Sequence, residues 1–567
     1  MRYLSCVLLL LIAVSGCGPS ARTNNDGGPC SPGEKQCAGN VLKACVNGSF
    51  VEQETCAVTC SPTNGCVVCE PGTGTCAGEI STACKPDGSG YFEEVCDTVN
   101  GSTCDQQSGI CTGPCGSAAL GDSYIGCNYY STQSSQIVDP MFDFGVSLSN
   151  TGSTLAMVTI DGGALTQPVV VAVMPQQVVM QKLPWVELLK RCNTPNSPFG
   201  CVTESAVARL GAYRIRSNQP ITVYQFSPID YQLNQSLSFT NDASLLLPTN
   251  AWTGNYLVAT YQAWLFQGQT FPGFIAVTAS RDNTMVQITT TAPTEAGSGA
   301  PAFIAGTPQT VTLNRGDVIQ LTARSGDLTG SRISADKPVE VLAGHHCTQL
   351  PHGSEACDHL EDQMFPIEKL ATKYVVAANA LPSSTQARAF VTRVIATAPG
   401  TVVQFDPALP QGPVTLANIG DKFEVAPSPI DRLITSDQKI LVAQYMVSQL
   451  FPPAANSGDP AMALAVPVAQ YRRDYQFTAP LSYESNYVNF TALTGTTITL
   501  DGAPVAASAF QAIGNSGYSV ARVQLSSTSA THRAMSAGPF GISVYGYGQA
   551  TSYWYPGGLD LDDNPVE

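Results

Sequence analysis

Four of the five histidines of this chain lie in one stretch, residues 338–366, together with two cysteines. These residues are His345, His346, Cys347, His352, Cys357 and His359. Imidazole and thiolate groups bind zinc, and a histidine beside a carboxylate, as in Asp358-His359, can transfer protons. A third interpretation is a structural loop closed by a disulfide bond. Zinc binding, acid–base catalysis and a covalent cross-link are therefore the chemistries to weigh.

Ligand spacing and compartment distinguish these interpretations. No C-x2-C pair faces an H-x3-H pair, which is the usual zinc pattern. Thiols that leave the cytosol become oxidised, and the N-terminus described next predicts export. We therefore predict a disulfide bond between Cys347 and Cys357, no metal, and a binding role for Asp358 and His359. The strand that begins the stretch would hold the loop in place.

The N-terminus has the pattern of a bacterial export signal. Arg2 precedes an apolar run and then Ser15-Gly16-Cys17. This pattern predicts a signal peptide over residues 1–16, and it resembles a lipobox, whose cysteine receives the lipid. Gly18, in place of an aspartate, favours the outer membrane. We expect an outer-membrane lipoprotein, exposed on the surface, with a small polar tether over residues 17–29; an ordinary secreted protein is the alternative.

Cysteines are dense after the tether, with 14 of the chain's 20 between residues 30 and 127. Two copies of one six-cysteine pattern occupy residues 30–66 and 69–111, and CSPGEKQCAGNVLKAC in the first copy matches CEPGTGTCAGEISTAC in the second. Units this small are stabilised by covalent bonds rather than by a core, so we predict disulfide-rich modules. The connectivity stays open. We expect Cys115 to pair with Cys127 where the next region begins.

The rest of the chain, residues 115–567, has an all-β pattern with four internal repeats. The clearest repeated element is a short strand, a polar turn and an alternating strand, and it begins at Tyr213, Ser331, Arg432 and His532. Two further strand patterns precede it each time. The repeats span about 128–240, 250–350, 372–450 and 472–556. Each would hold six or seven strands, which predicts tandem β-sandwich-like modules, with a propeller-like closed repeat as the alternative. Cys192 and Cys201 bracket a loop and should pair.

One segment of this region resembles a known family. The run from Cys347 through Cys357-Asp358-His359-Leu360 to Pro366 is similar to the C…CDHL-x-x-Q-x-x-P segment of the IgGFc-binding protein N-terminal domain family. The resemblance extends over about residues 210–550. It implies an extracellular binding module and leaves the ligand open.

Charge and motifs narrow the function further. The net charge is −16, with no basic patch interleaved with aromatic residues, so nucleic acid is not expected as a partner. The sequence has no G-x-S-x-G, H-E-x-x-H or phosphate-binding loop, and we expect no cofactor. The predicted function is a surface-anchored binding or adhesion protein for an extracellular protein or glycan, which meets the membrane only through its lipid. The alternative is an extracellular hydrolase that uses Asp358 and His359.

Overall fold

The computed structural model describes residues 30–31, 33–85, 87–121, 123–192, 201, 203–455 and 457–561. The predicted signal peptide and tether, including Cys17, lie outside the described residues. Contacts divide the chain into two units. One contains the chain up to Val95 together with Cys104–Ile110, and the other contains Cys96–Thr103 together with the chain from Cys111 onward. In the described ranges no helix is both long and apolar enough to cross a bilayer.

The two cysteine-rich repeats have the same disulfide connectivity. In each, the first cysteine bonds to the third, the second to the fifth and the fourth to the sixth. The bonds are Cys30–Cys45, Cys37–Cys60, Cys56–Cys66, Cys69–Cys84, Cys76–Cys104 and Cys96–Cys111. The strands are β1 (Lys35–Ala38), β2 (Val41–Val46), β3 (Ser49–Thr55), β4 (Thr59–Ser61), β5 (Gly65–Val67), β6 (Gly74–Ala77), β7 (Ile80–Cys84), β8 (Tyr91–Val95), β9 (Thr103–Cys104) and β10 (Cys111–Thr112).

The remaining chain forms four modules. Module 1 contains β11 (Gly126–Ser131), β12 (Phe144–Ser149), β13 (Ala156–Gly162), β14 (Val169–Val173), β15 (Val178–Leu183), β16 (Ala206–Ala208), β17 (Tyr213–Ser227), β18 (Gln232–Leu233), β19 (Ser236–Leu237) and β20 (Asp242–Leu246). Module 2 contains β21 (Asn255–Leu257), β22 (Trp264–Phe266), β23 (Gln269–Phe271), β24 (Gly273–Ala279), β25 (Thr284–Thr289), β26 (Gln309–Leu313), β27 (Val318–Ala323), β28 (Arg332–Ala335), β29 (Val339–Thr348) and β30 (Asp358–Gln363).

Module 3 contains β31 (Ala371–Val376), β32 (Phe390–Ala396), β33 (Thr401–Asp406), β34 (Val414–Leu416), β35 (Lys422–Ser428), β36 (Arg432–Met446) and β37 (Met462–Leu464). Module 4 contains β38 (Arg472–Thr478), β39 (Ser485–Leu493), β40 (Ile498–Leu500), β41 (Ala503–Pro504), β42 (Phe510–Ala512), β43 (Tyr518–Gln524), β44 (Thr531–Gly548) and β45 (Thr551–Pro556). Helices are short: α1 (Ser117–Leu120), α2 (Glu187–Lys190) and 3-10 turns at Thr98–Asn100, Thr249–Ala251, Ile367–Lys369, Val468–Gln470 and Ala507–Ala509.

All four modules share one seven-strand topology. In module 2 the strands form two sheets, β21-β28-β25-β26 and β27-β24-β29-β30. In the other modules one long strand, β17, β36 or β44, takes the place of β28 and β29 and belongs to both sheets. The core of module 1 contains side chains from both sheets, such as Val158 and Val223. The predicted all-β fold of sandwich-like modules is confirmed. The predicted repeats end before the seventh strand in the first three modules.

The repeated polar turn fixes the bend of the long strand. Asn218, Asp336 and Asp437 lie at this bend in modules 1 to 3. Each side chain accepts a hydrogen bond, 2.8 Å long in all three cases, from a backbone N–H near the start of the module's third strand. Because an Asp or Asn side chain can pair a backbone group that the turn leaves free, this motif recurs at the bends of these three modules.

A buried tyrosine on the first strand holds the same bend from inside. Its hydroxyl donates to the first carbonyl after the turn in every module. The pairs are Tyr129–Ile221, Tyr256–Val339, Tyr374–Ile440 and Tyr475–Phe540, at 2.5 to 2.8 Å. The tyrosine hydroxyl therefore holds the bend in all four modules, and in modules 1 to 3 a polar side chain holds it as well.

The four seventh strands meet in a closed cycle, which we call the central junction. β20 contacts β30 and β45, and β37 contacts the same two strands. The inner strands β12, β24 and β30 of the second sheet are buried along their whole length, because one face packs on the module's own core and the other on neighbouring modules. The modules are thus sandwiches arranged as a closed repeat.

Candidate binding face

Residues 338–366 form a pair of buried strands rather than a polar loop. β29 and β30 pair in antiparallel register, with His345 opposite Leu360, and a short loop joins them. Asp358 and His359 have no exposed surface. Packing on both faces of the sheet encloses these two residues, so neither reaches the surface, and their binding role stays a prediction.

The structure joins the three cysteine pairs that lie outside the repeats. The bonds are Cys115–Cys127, Cys192–Cys201 and Cys347–Cys357. The last of these closes the loop between β29 and β30 and packs against Trp264 and Phe271. Covalent closure thus fixes a loop that buries little apolar surface of its own.

Two other histidines of the stretch are buried and uncharged. The Nε2 atom of His345 lies 3.1 Å from the Gln262 carbonyl, and the Nδ1 atom of His346 lies 2.7 Å from Ser135 Oγ. Burial lowers the pKa of His345 to about 3 and that of His346 well below its usual value. His346 also approaches Cys192 and Cys201, with the three potential ligand atoms within 4.8 Å of one another. Both sulfurs are in a disulfide bond, so neither is the thiolate that a zinc site uses.

Ser134 and Glu361 both contact His359, but the geometry of this Ser–His–Glu group differs from that of a catalytic relay. His359 Nε2 lies 3.2 Å from Ser134 Oγ and 3.3 Å from Glu361 Oε2, while Nδ1 has no hydrogen-bond partner among the described residues. In a relay the serine and the acid bind opposite ring nitrogens. All three side chains have no exposed surface. This arrangement stabilises the interior and gives no support to the hydrolase alternative.

Carboxylates at the central junction accept hydrogen bonds from backbone N–H groups on the inner edges of the seventh strands. Asp242 accepts N–H groups from all three other modules: Glu361 and Met462, each at 3.0 Å, and Trp554 at 3.1 Å. Its side chain has no exposed surface. Burial raises the pKa of Asp242, and these backbone donors act in the opposite direction. A single side chain thus bonds to the inner strand of every other module.

Asp358 and Asp362 on β30 have the same role. Asp358 accepts the N–H groups of Asn241 in module 1, at 2.8 Å, and of Ser552 in module 4, at 3.0 Å. Asp362 accepts the N–H group of Leu464 in module 3, at 2.7 Å. Burial raises the pKa of both carboxyl groups. Asp358 and Asp362 therefore link modules by hydrogen bonds. Each carboxylate accepts backbone N–H groups that a neighbouring strand would otherwise pair.

In each module, two loops lie at the same end of the sandwich. The loops of the four modules meet there and form an accessible surface, which we call the loop face. It consists of the exposed residues of the loops between the first and second β-strands and between the sixth and seventh, and these loops are residues 132–143, 228–241, 258–272, 349–357, 377–389, 447–455, 457–461, 479–484 and 549–550. Backbone bonds connect adjacent loops, as in Ser448 to Leu350 and Leu450 to Glu355, both 2.7 Å. The Tyr231 ring stacks on Tyr483 across modules 1 and 4.

Large apolar side chains project from the loop face. The exposed fractions are 67% for Leu265, 51% for Leu450, 50% for Leu481, 47% for Phe239 and 38% for Phe266. Leu265 and Phe266 stand at the tip of the β22–β23 hairpin, whose turn residues Gln267 and Gly268 have positive φ, as a tight hairpin turn requires. Their neighbour Trp264 is buried against Phe271 and anchors the hairpin.

The loop face was not predicted from the sequence. The one local signal was Trp264-Leu-Phe-Gln-Gly-Gln-Thr-Phe271, in which two aromatic runs flank a Gln-Gly turn. Exposed apolar side chains mark a binding surface where they form one contiguous patch, and loops on a rigid scaffold are where binding residues concentrate.

Comparison with known proteins agrees with this architecture. The family model described as IgGFc binding protein matches residues 242–546, more than half of the chain. The chain belongs to the IgGFc-binding protein family. The match begins at Asp242 of the central junction and covers modules 2 and 3 with most of module 4, so the resemblance predicted from Cys347 to Pro366 is confirmed.

The human relative in this family is much longer than the present chain. The human IgGFc-binding protein is 29% identical over 261 residues, which are 44% of this chain and 4% of that protein. Among solved structures, a tetra-tandem repeat from the extending region of a large adhesion protein covers 73% of this chain and 94% of its own at 12% identity. Its TM-score of 0.07 is too low to support an inference.

Proposed function

We propose that this member of the IgGFc-binding family is a lipid-anchored extracellular protein that binds a protein or glycan partner through its loop face. The observation that carries the proposal is the set of exposed apolar side chains on the loops of four modules that a closed central junction holds in place. A rigid scaffold that presents loops is a common way to build a binding surface. The name of the human relative, an IgGFc-binding protein, makes the IgG Fc fragment the first ligand to test.

Replacing Leu265 with serine tests the loop face. The full chain is titrated onto immobilised IgG Fc and onto a glycan array, and we expect saturable binding to one of them. Loss of an exposed apolar anchor should weaken that binding about tenfold, since anchors at the centre of an interface carry most of its energy. Ile304→Ser is the matched control, because Ile304 is 66% exposed outside the loop face. Equal affinities for both variants, or no binding to either surface, would contradict the proposal.

Lipid attachment at Cys17 is the second part of the proposal. It is supported by the apolar run followed by Ser15-Gly16-Cys17. Cells fed an alkyne fatty acid should label the protein, and Cys17→Ala should abolish the label because the thiol is the acceptor. Cys6→Ala, which changes a cysteine inside the signal peptide, should leave the label in place. If the Cys17→Ala variant is still labelled, the lipid attachment at Cys17 is wrong. That result would leave the proposal for the loop face untouched.

A further inference from the structure

The fifth strand forms the outer edge of the second sheet, and two of the four such edges are covered. In module 2, β16 from module 1 pairs antiparallel with β27, with Val207 opposite Ile319. In module 4, β42 pairs antiparallel with β43, with Gln511 opposite Val520. Every residue of β27 is buried, and so are the first five of β43. The fold therefore completes this edge twice by adding an antiparallel strand.

The equivalent edges of modules 1 and 3 are open. β15 and β35 end their sheets, and within the described ranges no strand pairs with their outer side. Val178, Val179 and Met180 of β15 are only half-buried, in contrast to β27. An unpaired strand edge presents a row of backbone donors and acceptors that another strand can bind.

The outward-facing backbone groups of β15 follow from its register. The Gln177 carbonyl accepts the N–H of Asn150, next to β12, so it faces that strand. Because backbone direction alternates along an antiparallel strand, the groups of Val178, Met180 and Lys182 face away. The Gln181 side chain donates to the Lys182 carbonyl at 2.8 Å, so this outward acceptor already has a partner. The outward groups of Val178 and Met180 remain open to a partner strand.

The two open edges differ in chemistry. β35 contains Pro427 and the charged residues Lys422 and Glu424, which are features that discourage strand addition. Pro and Gly are absent from β15, which starts with Val178-Val179-Met180. We propose that β15 binds an extended segment of a partner protein as an added antiparallel strand, with aliphatic side chains at alternate positions of that segment. The antiparallel direction follows from both internal examples, and this mode of recognition is common among peptide-binding domains.

The proposal is independent of the loop face, because β15 contributes none of its residues. The test titrates the full chain into a fluorescent peptide, acetyl-Lys-Thr-Val-Thr-Val-Thr-Lys-amide, and follows its anisotropy. Met180→Pro removes an outward N–H group that makes no bond to β12, so it should weaken peptide binding about tenfold. Met180→Ala is the control, since it keeps the N–H group and should bind as the wild type does.

Amide hydrogen exchange of the wild-type chain is a second measurement, and it does not require the Met180→Pro variant to fold. The amides of Val178 and Met180 should exchange faster than those of Val318 and Gln320, and peptide should slow the first pair alone. Equal binding by Met180→Pro and Met180→Ala, or no change at β15 on adding peptide, would overturn the proposal. Protection of β15 that grows with protein concentration in the absence of peptide would identify a second copy as the occupant, and would also overturn it.

Discussion

Asp242→Asn should strongly destabilise the protein, because the carboxylate accepts two backbone N–H groups on each of its oxygens. The amide keeps one acceptor oxygen, so the two backbone N–H groups facing its nitrogen lose their partner. These are either those of Glu361 and Met462 or those of Ala243 and Trp554. A stranded buried donor costs about 1–3 kcal/mol, which gives a loss of about 2–6 kcal/mol in the free energy of unfolding. Urea-induced unfolding of the full chain at neutral pH measures it.

Asp362→Asn provides a graded comparison, because only one of its bonds, that to Leu464, crosses between modules. We expect about 1–3 kcal/mol for this change. Asp282→Asn is the surface control, since the Asp282 side chain is 61% exposed. Unfolding curves of Asp242→Asn that coincide with those of Asp282→Asn would show that the central junction does not depend on its carboxylates.

Glu340 should contribute a loss of stability as the pH rises from 5 to 7, opposite in sign to the contribution of the buried, uncharged His345 and His346. The Oε2 atom of Glu340 accepts a hydrogen bond from Thr132 at 2.7 Å, its Oε1 atom has no hydrogen-bond partner in the part of the chain that the structure describes, and the side chain is buried. Burial raises the pKa of Glu340 to about 7. Since the unfolded chain has the lower, ordinary pKa, the folded state binds the extra proton between the two values, and stability falls with rising pH in that window. The loss is about 2–3 kcal/mol between pH 5 and pH 7.

Glu340→Gln removes the titrating group and keeps the shape of the side chain. The free energy of unfolding of this variant should vary less between pH 5 and pH 7, by the amount that Glu340 contributes. Glu187→Gln, at an exposed position in α2, should keep the wild-type profile. Identical pH profiles for wild type and Glu340→Gln would show that Glu340 does not hold a proton near pH 7.

Sequence patterns predicted the parts of the fold that are local. The third strands, such as β13, β25 and β33, alternate between buried and exposed residues because only one face meets the core, and this period-two signal is visible in the sequence. The polar turns at Asn218, Asp336 and Asp437 were visible for the same reason, since an Asx turn depends on nearby residues.

The parts that depend on contacts between modules were not predictable. His345, Asp358 and Glu361 suggested an exposed loop, because charged and polar residues are seldom fully buried. Their partners, such as Asn241 and Ser552, are distant in sequence, and no local sequence pattern predicts these contacts. Disulfide connectivity in the cysteine-rich repeats was open for a similar reason: spacing shows a framework but does not choose among its pairings.

The Asp242–Trp554 bond has a consequence for how this protein is made. The two residues are 312 positions apart, and the Asp358–Ser552 bond closes a separation of 194. Contacts between such distant residues slow folding, since the loop must close before the contact stabilises anything. If the chain is exported as its N-terminus predicts, the carboxylate of Asp242 crosses the membrane before its last partner does. The modules then assemble only after translocation. Until Trp554 has crossed the membrane, the inner strand edges of the earlier modules are unpaired and can associate wrongly. Export should therefore depend on periplasmic chaperones that shield these edges.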